Sequence, residues 1–196
     1  MTSMQSIVLK HGLIAGGILI AVFAVTLPLA HNGVIDFDNS AAIGYTAMVL
    51  AFLLVFFGIR SYRENIGGGR ISFGRALAVG LLIMLITCAF YVITWEFVYF
   101  NFMPDFAEKY AAFALEDARA HGASAAELAK QAEDMKQFQV MYNNIFFNVG
   151  MTLLEPLPVG LVMTFISALI LRSRRKDLHG GQDAVKENPV TRVNPV

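Results

Sequence analysis

Apolar residues gather along this chain in four long stretches, residues 12–30, 40–59, 76–100 and 145–171. The first two carry no charge. The third and fourth carry one each, Glu96 and Glu155. A helix needs about 20 apolar residues to cross a hydrocarbon core about 30 Å thick, and every stretch meets that length. Backbone groups in lipid must be satisfied within their own segment, so the pattern predicts four transmembrane helices. The alternating strands of about ten residues that mark a membrane barrel are not seen in the pattern.

The segments between the spans are unequal. Residues 31–39 read as a short acidic turn. Residues 60–75 contain Gly67-Gly68-Gly69, a helix stop before Ser72, which is expected to cap helix 3. A phosphate-cradling loop is the other reading of such glycines, but the strand and lysine pattern that accompany one are missing. The one sizeable polar insertion spans about 104–142. Pro104 suits the first position of a helix, with Phe106, Tyr110 and Phe113 at helical spacing. Gly122 suits its end, and Ser124 with Glu127 three residues later forms a capping box for the next. Leu128, Ala132, Met135, Phe138 and Tyr142 then line one face. The expectation is a helical hairpin with its apolar faces together, its second arm running straight into helix 4. Gly12 and Gly16 form a small-residue pattern suited to close helix packing.

Composition agrees with membrane. Of 196 residues, 56% are hydrophobic and 15% charged, against about 25% charged in soluble domains. Mean hydropathy is +0.57. A single Cys excludes an internal disulfide framework, and Cys88 reads as a packing residue. Zero net charge gives no case for nucleic acid as a partner. The first stretch exceeds the apolar region of a typical signal peptide, so it is read as a retained helix. Eleven of the 15 basic residues, including Lys10, Arg60, Arg63, Arg70, Arg75 and Arg172, fall on one side of the four spans. By the positive-inside rule both termini are cytoplasmic, and the 104–142 hairpin lies outside. Residues 1–176 then form a single membrane domain, and 177–196 a polar tail expected to be disordered.

Intramembrane carboxyls are functional candidates by default, since placing an acid at a helix centre costs about 2.5–3.5 kcal/mol. At 1.5 Å per residue, Glu96 and Glu155 each lie about 10 Å below the outer surface, so one layer could hold both. Asn144, Asn148, Thr152 and Glu155 fall on one face of helix 4, and Pro156 and Pro158 follow at once. Tyr99 stands three residues after Glu96, and Thr26, Tyr45 and Thr46 could reach the same half. The nearest candidate cation is His31, so at least one carboxyl of the pair is expected to carry a proton. The ligand- or ion-binding candidates are therefore Glu96, Glu155, Asn148, Thr152 and Tyr99. A hydrogen-bonded role in holding the bundle together competes with that reading. No catalytic, metal or cofactor motif accompanies them.

Several stretches together resemble an uncharacterised bacterial membrane family, the domain of unknown function forty-one ninety-nine. They are Lys10-His11-Gly12-Leu13 with Gly16, then Phe57-Gly58-Ile59-Arg60-Ser61-Tyr62-Arg63, then 68–74 with its Ile71-Ser72-Phe73. Tyr91 to Glu96, Asp105-Phe106 with Lys109-Tyr110, and Glu155-Pro156-Leu157-Pro158-Val159-Gly160 complete the match. The resemblance covers about residues 8–176. It implies a four-helix inner-membrane protein with a helical extracytoplasmic insertion, and no particular activity.

The expected fold is thus an all-α membrane protein, a four-helix bundle with an extracytoplasmic helical hairpin between helices 3 and 4. The expected function is that of a non-enzymatic interaction or accessory protein of the bacterial inner membrane. Its partners would be the lipid bilayer and either further copies of itself or another membrane protein. The alternative is a small oligomeric transporter, channel or ion-binding protein using Glu96 and Glu155.

Overall fold

The structure, a computed structural model, describes residues 3–31, 34–35 and 37–173. The tail expected over 177–196 lies outside these residues, as does the side chain of His31. Within them the chain is helical: α1 (Met4–His31), α2 (Phe37–Asn65), α3 (Phe73–Phe102), α4 (Phe106–Ala120), α5 (Ala125–Tyr142), α6 (Ile145–Leu154) and α7 (Pro156–Leu171). Four spans are long and apolar enough to cross a membrane, the fourth being α6 and α7 together.

The expected single helix over 145–171 is interrupted at Glu155. Pro156 and Pro158 cannot donate backbone hydrogen bonds to the carbonyls four residues earlier, so the ladder fails there. Glu155 keeps helical dihedrals (φ −74°, ψ −58°), so the chain bends and does not reverse. Its own N–H falls back to the carbonyl of Thr152 at 3.4 Å. Nor does α5 run straight into this span. A two-residue turn separates them, and the Asn144 side chain caps α6 by accepting from the N–H groups of Phe146 and Phe147. Two smaller expectations also change. Pro104 lies ahead of α4 and not at its first helical position, and Ser72 precedes α3 without a side-chain cap bond.

Glycines set how closely the long helices approach. Gly12 and Gly16 turn the small-residue pattern inward. A Cβ on Gly16 would lie 2.6 Å from Phe90 Cγ, and one on Gly12 2.7 Å from Ile86 Cγ2, both on α3. The seam between α3 and α7 is reciprocal: Gly80 of α3 receives Thr164, and Gly160 of α7 receives Met84. The main core fills the space around these contacts, with Phe52, Val55, Ile59, Val79, Ile83 and Met84 buried.

At the core end of the molecule, Gly68 and Gly69 take positive φ (58° and 81°) and turn the chain from α2 toward α3. The following segment is tied to the end of α7. Ile71 N–H donates to Ser173 Oγ at 3.1 Å, and Ser173 N–H donates to the Ile71 carbonyl at 2.9 Å. At the opposite end α4 and α5 pack on each other across a turn at Gly122 (φ 83°). The capping box at Ser124 and Glu127 is present. Hydrogen bonds from the Ser124 backbone and hydroxyl hold the Glu127 carboxyl below its ordinary range.

The glycine seam makes a paired test. Gly16→Ala should lower the melting temperature, because overpacking costs more than the helix propensity gained, about 1–3 against about 1 kcal/mol. Gly17→Ala meets open space and should be neutral or stabilising. Thermal unfolding in detergent reads both, and equal behaviour would dissolve the claimed seam.

Candidate functional site: a cavity at a broken helix

The break in the fourth span changes its neighbours. On one side of Glu155, α7 packs on both α2 and α3; on the other, α6 packs on α3 and α5. The space that α6 leaves beside α1 and α2 is a cavity of ≈ 670 Å³. Pockets for small organic ligands typically measure about 300–1,000 Å³ and are mostly apolar with a few placed polar groups. This one has that character. Phe23 of α1, Tyr45 of α2, Tyr91 and Trp95 of α3, and Phe106, Tyr110 and Phe113 of α4 supply aromatic walls. Thr26, Ser40, Lys109, Thr152 and Glu155 supply polar groups.

Glu155 sits at the vertex of the bend and is exposed to this space. Its Oε2 accepts a hydrogen bond from the Tyr91 hydroxyl at 2.5 Å. A second polar chain stiffens the wall. Trp95 Nε1 donates to the Tyr142 hydroxyl at 3.0 Å. Asn148 Nδ2 donates to the Tyr142 carbonyl at 3.2 Å, and Thr152 Oγ1 donates to Asn148 Oδ1 at 3.1 Å. Burial pushes the Tyr142 hydroxyl up to about 12, so it stays a neutral partner. The polar stripe expected on α6 is therefore real but divided. Asn144 caps α6 at the surface, Asn148 is fully buried and structural, Thr152 reaches the cavity from within this network, and Glu155 is exposed to it.

The remaining candidates separate from it. The Tyr99 hydroxyl donates to Asn143 Oδ1 at 2.8 Å, which ties α3 to the α5–α6 turn. Glu96 and Glu155 do not line the cavity together: Glu155 does and Glu96 does not. Glu155 meets α3 at Tyr91, five residues before Glu96. Five helical residues turn the face by about 140° and advance it about 7.5 Å. Both Glu96 carboxyl oxygens are shielded, and they find no hydrogen-bond partner among the described residues. Thr46 and Thr26 both bond their own helices, at the Ala42 and Val22 carbonyls, and of the two only Thr26, with Tyr45, lines the cavity. Sequence reasoning missed Tyr91 as the partner of Glu155 and Trp95 as a wall. A tyrosine one helical turn before the only tryptophan was the available signal for both.

The fold thus defines a class: an all-helical protein with four spans apolar enough for a membrane and a polar-floored cavity among them. Over residues 10–173 the chain matches the family described as "Protein of unknown function (DUF4199)", and it belongs to that family. No curated protein and no solved structure matches it.

Two outcomes follow for the carboxyls. Glu96→Leu should raise thermal stability, because a shielded carboxyl without a partner is removed and side-chain volume is kept. A clear loss would show that Glu96 has a partner the geometry does not reveal. Tyr91→Phe should cost about 1–3 kcal/mol by stranding Glu155, and Tyr91→Phe with Glu155→Leu should recover much of that. Additive losses in this double-mutant cycle would mean that the pair is not coupled.

Proposed function

We propose that this protein is a multi-pass inner-membrane protein that binds a small molecule in the α6–α7 cavity and does not catalyse a reaction. In this reading the helices form a four-helix bundle, α4 and α5 form an extracytoplasmic hairpin over the cavity, and both termini are cytoplasmic. The uneven spread of Lys and Arg supports that orientation. One observation carries the binding role: a proline-broken helix opens a cavity and presents its carboxyl there. Broken helices at polar sites recur in transporters, so the expected transporter or ion-binding alternative gains from it, with Glu155 alone as its polar centre. The polar groups of the lining among the described residues, one carboxyl, a lysine paired with Asp105 and neutral hydroxyls, support binding over chemistry.

A second reading keeps the interaction or accessory role, with a further copy or another membrane protein as partner. It is favoured by Val140 at 72% exposure and Phe146 at 86%, beside the α5–α6 turn. Sedimentation in mild detergent would distinguish a monomer from an assembly.

Trp95, the chain's single tryptophan, lines the cavity and so reports on it directly. The neutral dye 1-aminoanthracene should accept energy from Trp95 with saturable dependence on dye concentration. Gly44 also lines the cavity, and a Cβ there meets nothing within 4 Å. Gly44→Phe should therefore fill the space, abolish the transfer and leave the melting temperature near wild type. Transfer that never saturates, or that survives Gly44→Phe, would sink the binding role.

A further inference from the structure

Resting on that binding role, we infer that the cavity's ligand is a lipophilic organic cation, an ammonium group carried on an aromatic or apolar body. The charges decide its sign. Among the described residues, Lys109 and Glu155 are the charged side chains of the lining. Lys109 Nζ is already paired with Asp105 Oδ2 at 2.8 Å, so its charge is balanced within the protein. Glu155 has a neutral partner, the Tyr91 hydroxyl. An anionic ligand would add a second negative charge beside that carboxyl, and a neutral one would leave it without a counter-charge.

The walls decide its body. Phe23 stacks at a tilt on Tyr91 and Trp95, with ring centroids 5.4 and 6.2 Å away. Tyr45 faces the same space from α2. Aromatic faces beside a carboxyl are the setting in which ammonium groups gain cation–π attraction as well as a charge-assisted hydrogen bond. A bare metal ion fits less well. Calcium takes six to eight oxygen ligands and magnesium a near-ideal octahedron, roughly 2–2.6 Å away. The described residues bring no group of three His, Cys, Asp or Glu side chains together. A space of ≈ 670 Å³ is far larger than one ion needs. At the other wall the Ser40 hydroxyl, shielded and without a partner among the described residues, offers a second polar contact.

The test is displacement of 1-aminoanthracene from the full chain in a nonionic detergent. Three competitors share a body and differ in the head group: 4-phenylbutylamine, 4-phenylbutanol and 4-phenylbutyrate. The amine should compete about tenfold more strongly than the alcohol, a difference of about 1.4 kcal/mol, and the acid should be weakest. Glu155→Gln should bring amine and alcohol to about the same strength, and Glu96→Gln, outside the cavity, should leave the preference intact. Should Glu155→Gln fail to fold, Tyr45→Ala supplies the second variant and should weaken the amine several-fold more than the alcohol. Equal competition by all three heads, or preference for the acid, overturns the cation and leaves the binding role standing. A dye that never binds saturably removes the binding role itself.

Discussion

A helix in lipid has no water to repair a missing backbone hydrogen bond, and this chain places two such gaps in one span. Pro156 and Pro158 withdraw two donors within three residues, just after Glu155. The bend they impose lets α7 pack between α2 and α3 while α6 turns to α3 and α5. The cavity, the aromatic walls that face each other across it and the position of the carboxyl all depend on that divergence. A straight helix through the same residues would keep α2 as a neighbour along its whole length and close the space.

The two carboxyls within the apolar spans show how differently one residue type can be used. Glu155 has a donor in Tyr91 and an open face on the cavity. Glu96 is shielded and finds no hydrogen-bond partner among the described residues. Around them the polar groups are mostly spent on the protein itself. Trp95, Tyr142, Asn148 and Thr152 bond in sequence along the α3–α6 seam. That chain fixes the wall on which Tyr91 and Glu155 stand, so the open carboxyl is held by rigid neighbours.

Much of the fold was legible in the sequence because its signals are local. Apolar runs of span length, the Ser124–Glu127 box and the turn glycine Gly122 are each signals of one segment alone, and each appears in place. The prolines were legible as a kink, but their consequence was not, since a cavity arises where helices fail to meet. The site was only partly readable for the same reason. Glu96 and Glu155 give the same signal, an acid in an apolar run, and what separates them is the direction each faces after packing. Tyr91 and Glu155 are 64 residues apart, and no periodicity links them. Gly12 and Gly16 were legible as a packing face, but only the fold shows that their partners are Ile86 and Phe90 of the same chain.

The reciprocal bonds between Ile71 and Ser173 join the foot of α7 to the loop that starts α3. They lie at the far end of the molecule from the cavity, beyond the tightly interlocked glycine contacts of α3 and α7. The fourth span is therefore anchored twice, at its base through its backbone and above the bend through side-chain bonds to α3 and α5. Glu155 stands between the two moorings, so the angle between α6 and α7 is set from both ends and not by the prolines alone.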